Sequence, residues 1–189
     1  MNRSILIILF IAVCLCQLAL TGKWVYDAES VKSFGTFAKI PCVQIDPIDP
    51  LRGSYLLIHP IPNQIYFEDS SQYSPKDEVW INYKLTREED VYEYHSAQPL
   101  HEVPTEAVYV KAMIQYIYPS DASLVHHHQF TATIEYPFSK YFINEKLAPS
   151  IAEKYNRALT DTSTKVFCGV FIKNGTVLLD GLWIGKEKL

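Results

Sequence analysis

The sequence predicts a mainly β, β-rich α+β fold: a small antiparallel β domain with one packed helix, preceded by a single N-terminal transmembrane helix. Three observations predict it. An uncharged apolar stretch opens the chain, short alternating runs separated by turn residues fill most of the rest, and one segment near the C-terminus repeats with helical spacing.

The opening stretch, Ser4–Thr21, reads SILIILFIAVCLCQLALT without a charge. As a helix it would be roughly 27 Å long, close to the ~30 Å hydrocarbon core of a bilayer. Arg3 precedes it, so the positive-inside rule puts the N-terminus in the cytoplasm and the remainder of the chain outside. Small residues before a cut are poorly placed at Leu20-Thr21-Gly22 and at Gln17-Leu18-Ala19. Cys14 follows Val13 and Cys16 follows Leu15, which argues against a lipidated cysteine. An uncleaved signal-anchor is therefore preferred to a cleaved signal peptide. The expected organisation is a membrane helix over 1–22, a juxtamembrane connector over 23–36 and an extracytoplasmic domain over 37–189.

Bulk composition agrees with a folded domain. Apolar residues make up 48% and charged residues 20%, enough to build a core and too mixed in sign for a disordered chain. There are 17 Lys and Arg against 21 Asp and Glu, for a net charge of −4, and Arg3 is the one charge in the first 22 residues. The exported part is thus acidic. It lacks the basic face that a phosphate backbone requires, which excludes nucleic acid as a natural partner.

The strands follow in order. Phe37–Ile45 is the first, ending at the proline-broken DPIDP, and Tyr55–His59 is the second. In Glu78–Leu85, Val79, Ile81, Tyr83 and Leu85 alternate with Trp80, Asn82 and Lys84, a period of two. Val91–His95 is its expected hairpin partner across the acidic turn 87–90. Val108–Tyr118 alternates again, and Gln129–Tyr136 is rich in Thr, Ile and Tyr. Val166–Ile172 and Thr176–Trp183 flank Lys173-Asn174-Gly175, and Asn-Gly between two apolar runs is a strong hairpin signal. The helix is expected from near Pro149 to about Leu159. Asn144 is a plausible cap, Leu147, Ile151, Tyr155 and Leu159 share a face, and Glu153 and Arg157 form an i,i+4 pair.

The most distinctive stretch is Ile45-Asp46-Pro47-Ile48-Asp49-Pro50-Leu51-Arg52-Gly53-Ser54-Tyr55. With Tyr136-Pro137-Phe138-Ser139-Lys140-Tyr141-Phe142-Ile143-Asn144-Glu145 and the closing Gly175, Asp180, Gly181, Leu182 and Gly185, it resembles the GDYXXLXY family of bacterial membrane-anchored proteins. Aligned on Gly53 and Tyr55, the chain has Ser54, Ile58 and Pro60 where the family has Asp, Leu and Tyr. The likeness implies an exported single-pass protein of the cytoplasmic membrane, with a periplasmic domain. It also implies an accessory role beside another envelope or multi-pass membrane protein.

The turn can also be read directly. Each Pro holds the preceding Asp extended and fixes its own φ, while Asp side chains close Asx-turns. Arg52 then lies among carboxylates, with Gly53 permitting close backbone approach. A rigid loop locked by an Arg–Asp pair is one account. A surface that meets a carboxylate or phosphate bidentately through Arg52 is the other. Candidate binding residues are Asp46, Asp49, Arg52, Gly53, Tyr55, Tyr141, Phe142 and Glu145. The aromatics Tyr136, Phe138, Tyr141 and Phe142 read either as a small core under the helix or as an exposed docking patch.

No catalytic set emerges. Ser54 beside Gly53 suggests a nucleophile, but the resembled family has Asp there and no base can be assigned. There is no P-loop, GxGxxG, HExxH, GxSxG or CxxC. In a strand, His126 and His128 of His126-His127-His128 would share a face, yet two ligands do not close a metal site. Cys42 and Cys168 fall in strand-like runs of the exported part, where an oxidising compartment permits a disulfide; two buried thiols are the alternative. No cofactor is implied. The reading favoured is a non-enzymatic binding or accessory domain, with an envelope hydrolase or a metal-binding domain on His126 and His128 as alternatives.

Overall fold

A computed structural model describes residues 3–44, 55–69, 73–120, 130–142, 144, 146, 149–151, 153, 154, 157 and 165–188. Helix α1 spans Arg3–Phe34. Among the described residues eleven strands follow: β1 (Thr36–Gln44), β2 (Tyr55–Pro60), β3 (Gln64–Phe67), β4 (Glu78–Leu85), β5 (Tyr92–Pro99), β6 (Val108–Pro119), β7 (Phe130–Glu135), β8 (Lys140–Phe142), β9 (Val166–Lys173), β10 (Thr176–Ile184) and β11 (Glu187–Lys188). They form two antiparallel sheets, in the orders β11-β10-β9-β1-β2-β8 and β3-β7-β6-β4-β5.

One hydrophobic core lies between the sheets. Alternation sends Ala38, Ile40 and Cys42 of β1 and Val166, Cys168, Val170 and Ile172 of β9 inward from the first sheet. Val79, Ile81 and Tyr83 of β4 and Val108, Val110, Ala112 and Ile114 of β6 meet them from the second. Truncating one of the large side chains here, such as Ile40, Ile81 or Ile114, to Ala leaves a cavity that costs about 2–5 kcal/mol.

Two seams join the sheets. The first half of β6 pairs with β4 while its second half pairs with β7, so one edge of the first half stays open to another partner. The β9–β10 turn takes that edge: Gly175 bridges Val110, and the Lys111 amide donates to the Gly175 carbonyl at 3.4 Å. At the other seam the Lys39 amide donates to the Asp90 carbonyl at 2.7 Å. Within the first sheet β1 changes partner at Pro41, pairing with β9 through Pro41 and with β2 from Cys42 onward. A proline has no N–H to contribute to a ladder, and here it marks the exchange.

The β9–β10 hairpin has the expected turn, with φ of 50° at Asn174 and 77° at Gly175. Helix α1 runs through the expected connector without interruption, because residues 23–34 contain no Gly or Pro, and Lys23 pairs with Asp27 at 3.2 Å. Its last turn seats on the domain. Val31 is buried, Lys173 Nζ donates to Ser30 Oγ at 2.5 Å, and the same ammonium lies 5.1 Å from the centre of the Phe34 ring. The apolar body of the helix, including Ile8, Phe10, Leu15 and Leu18, is exposed. It is one helix long and apolar enough to cross a membrane.

Near the C-terminal helix, Asn144 Oδ1 accepts from the Lys146 amide at 3.0 Å, an Asx-turn ahead of the helix rather than a cap on it. Pro149, Ser150 and Ile151 are helical, within the segment where the helix is expected. Ile151 packs against the core, and Glu153 accepts from Arg157 at 2.5 Å on the wet side. Leu147, Tyr155 and Leu159 lie outside the described residues.

Candidate functional site

Strand β8 is only three residues long, yet it brings the two distinctive stretches of the sequence together. It pairs with β2 in the register Tyr55↔Phe142, Leu56↔Tyr141 and Leu57↔Lys140. The ladder continues as the Ile58 amide donates to the Ser139 carbonyl at 2.9 Å. Strand β1 ends at Gln44, and β2 begins at Tyr55, opposite Phe142. Ile58, at one of the positions where the chain departs from the family's pattern, is fully buried, so an aliphatic side chain still fills that core site.

The aromatics divide between the two expected roles. Tyr136 and Phe138 are core residues with ring centres 5.4 Å apart, and Tyr141 is half-buried against the core. Phe142, 68% exposed, is the one at the surface. Beside this edge is a cleft of about 450 Å³ lined by His59, Asn63, Gln115, Thr133, Glu135 and Lys140, among others. A second cleft of about 700 Å³ lies across the Glu135–Ser139 segment, toward the β9–β10 turn. Its walls include Trp80, whose indole donates to the Leu100 carbonyl at 3.2 Å, and the Lys111–Glu78 ion pair at 3.0 Å. Gln115 donates to Glu135 between the two clefts. That ion pair is well exposed and adds little to stability; it gives the rim a mixed charge.

Tyr136 anchors the segment between the clefts. Tyr83 donates to the Tyr136 hydroxyl at 2.8 Å, and Tyr136 donates in turn to the Pro62 carbonyl at 2.8 Å. Burial pushes both phenols far above the usual tyrosine range. Unfolded tyrosines ionise near pH 10, whereas these stay protonated in the fold. The protonated pair thus supports folding fully below about pH 10, and the support is lost as pH rises beyond it, at about 1.4 kcal/mol per pH unit for each phenol. Urea unfolding at about pH 9 and about pH 11 should show the drop. A flat profile would mean the phenols ionise in the native state, and Tyr83→Phe should make the slope shallower.

Several residues singled out in the sequence lie outside the described residues: Asp46, Asp49, Arg52, Gly53, Glu145, His126 and His128. Tyr55 is described as part of β2. Cys42 and Cys168 are both buried, and no disulfide joins them. Among the described residues, no group of three or more His, Cys, Asp and Glu is placed to hold a metal ion. Sequence reasoning missed Trp80, Lys111 and Glu135 as cleft residues, and also the Tyr83–Tyr136 bond. The last spans 53 positions and has no local signal.

The fold and this edge define a class: a two-sheet β domain carried on a single apolar N-terminal helix, with its two most distinctive segments paired at one sheet edge. The chain belongs to the GDYXXLXY protein family, whose model matches residues 17–182, from the middle of α1 to Leu182 in β10. No curated protein and no solved structure matches it.

Proposed function

We propose that the chain is a single-pass protein of the bacterial cytoplasmic membrane whose extracytoplasmic (periplasmic) domain binds another envelope or multi-pass membrane protein without catalysing a reaction. The observation that carries this reading is the β2–β8 ladder, which sets Tyr55 beside Phe142 at a sheet edge with a large exposed aromatic ring. Exposed aromatic side chains next to a cleft are the usual anchors of a protein contact. In this reading the connection between β1 and β2, with Asp46, Asp49, Arg52 and Gly53, forms the adjoining part of the same surface, as does Glu145. Arg52 supplies the bidentate group for a partner's carboxylate.

The helix supports the membrane half of the proposal. The apolar side chains of its body, Ile8, Phe10, Leu15 and Leu18 among them, are exposed, and Trp24 and Tyr26, both exposed, suit the interfacial belt of a bilayer. From there to Gly35 is about ten residues of helix, or roughly 15 Å, which keeps the β2–β8 edge within reach of neighbouring membrane proteins.

Crosslinking in native membranes, followed by purification of the tagged chain and mass spectrometry, tests this reading. A specific membrane protein should be captured by the native chain and lost with Arg52→Ala, while the variant keeps its melting temperature. Equal capture by both chains would remove Arg52 from the surface. A folded domain that captures nothing would refute the accessory role.

A further inference from the structure

The first and ninth strands carry a pair of cysteines that no part of the binding reading uses. The register Ile40↔Cys168 and Pro41↔Phe167 puts Cys42 two positions along β1 from the residue facing Cys168, on the same inward face. Cys42 is 4% and Cys168 0% exposed, and the two thiols are hydrogen-bonding neighbours inside the core. Cys168 Sγ also lies 3.3 Å from the Ile40 carbonyl, to which it donates. Diagonal neighbours across a flat ladder are too far apart to bridge, but sheet twist draws one diagonal together, toward the 4.4–6.8 Å Cα separation of disulfides.

We propose that Cys42 and Cys168 close to a disulfide when the domain folds in an oxidising compartment, and so staple the first strand to the penultimate long one. This rests on the extracytoplasmic reading above. In the reaction the two thiols lose two protons and two electrons and the Sγ–Sγ bond forms. The electrons reduce the disulfide of an oxidising thiol–disulfide exchange protein to a dithiol, through a mixed disulfide on one of the two cysteines. In the finished fold, burial and the adjoining Cys42 hold the Cys168 thiol protonated far above its usual range, which makes it a poor nucleophile. Exchange therefore precedes the docking of β9 on β1. The closed loop contains about 125 residues, among the lengths for which a crosslink most restricts the unfolded chain.

The test begins by denaturing the full-length chain directly from cells in the presence of an alkylating maleimide, with and without prior reduction, and then analysing it by intact and peptide mass spectrometry. Without reductant, Cys14 and Cys16 should be labelled while Cys42 and Cys168 appear as one linked peptide pair, two hydrogens lighter than the free peptides. After reduction all four should be labelled. Reductant should also lower the melting temperature by about 10 °C or more. A parallel sample of purified chain is unfolded, reduced and refolded in detergent with oxidised glutathione. Free thiols at 42 and 168 in both samples would overturn the pairing. Free thiols from cells with a 42–168 link after oxidative refolding would support the pairing and refute the extracytoplasmic location.

Discussion

Tyr83→Ala is expected to lower the unfolding free energy by about 3–5 kcal/mol, as for other large aromatic truncations in a core. Tyr83 is among the largest fully buried side chains of the domain. Its ring fills the space between the sheets, and its hydroxyl donates to Tyr136, which in turn holds the Pro62 carbonyl. Truncation therefore opens a cavity and leaves the Tyr136 oxygen without its donor. Against a total stability of about 5–15 kcal/mol for a domain, that loss is a large fraction. Tyr83→Phe separates the two effects: it keeps the volume and should cost about 1 kcal/mol for the missing hydrogen bond. Urea denaturation of the full chain in detergent measures both. An alanine variant within 1 kcal/mol of the native chain, by this order-of-magnitude reasoning, would mean the site collapses around the deletion.

The second large effect is expected at the seam. Gly175→Ala should cost about 2–4 kcal/mol, from two sources acting at one position. The φ of 77° lies in the left-handed region, where a Cβ is strained. A Cβ built there would also meet Trp80 Cζ3 at 2.5 Å, and Trp80 cannot easily yield. Its indole is held by the Leu100 carbonyl, and its ring meets that of Tyr109 edge-on at 5.2 Å. Asn174→Gly keeps the positive φ of the turn and should cost under about 1 kcal/mol. Comparable losses from the two variants would place the sensitivity in the turn as a whole rather than in the contact with Trp80. Because the turn forms one wall of the larger cleft, Gly175→Ala should also disturb that cleft, whereas Asn174→Gly should leave it intact.

The long strands were legible before any coordinates because their side chains alternate over enough residues to define a period. Glu78–Leu85 is found with the bounds its alternation predicts, and the Asn174-Gly175 turn with the φ values its residues permit. The expected Val91–His95 instead runs over Tyr92–Pro99, with an irregularity in its pairing at Asn82 and Tyr83 that local alternation does not encode. Strands β3, β8 and β11 have four, three and two residues, too few to show a period. They exist because an adjacent strand offers unpaired N–H and C=O groups; for β3 and β8 that partner lies far away in sequence, while β11 folds straight back on β10. The candidate site was legible as two unusual stretches; their pairing through β2 and β8 was not, since Tyr55 and Phe142 carry no mutual signal along the chain.

By itself, then, the sequence determined the apolar N-terminal helix, the β-rich class, the hairpin at Asn174-Gly175 and the family, because each is written in local periodicity, local composition or a contiguous motif. The tertiary structure alone decided the order of strands in the two sheets, the partner exchange at Pro41, the clasp between Tyr83 and Tyr136, the nearness of Cys42 to Cys168 and the meeting of the two distinctive stretches at one edge. The physical reason is common to all of these: they depend on contacts between residues distant in the chain, and such contacts form only once hydrophobic burial has closed the long loops between them.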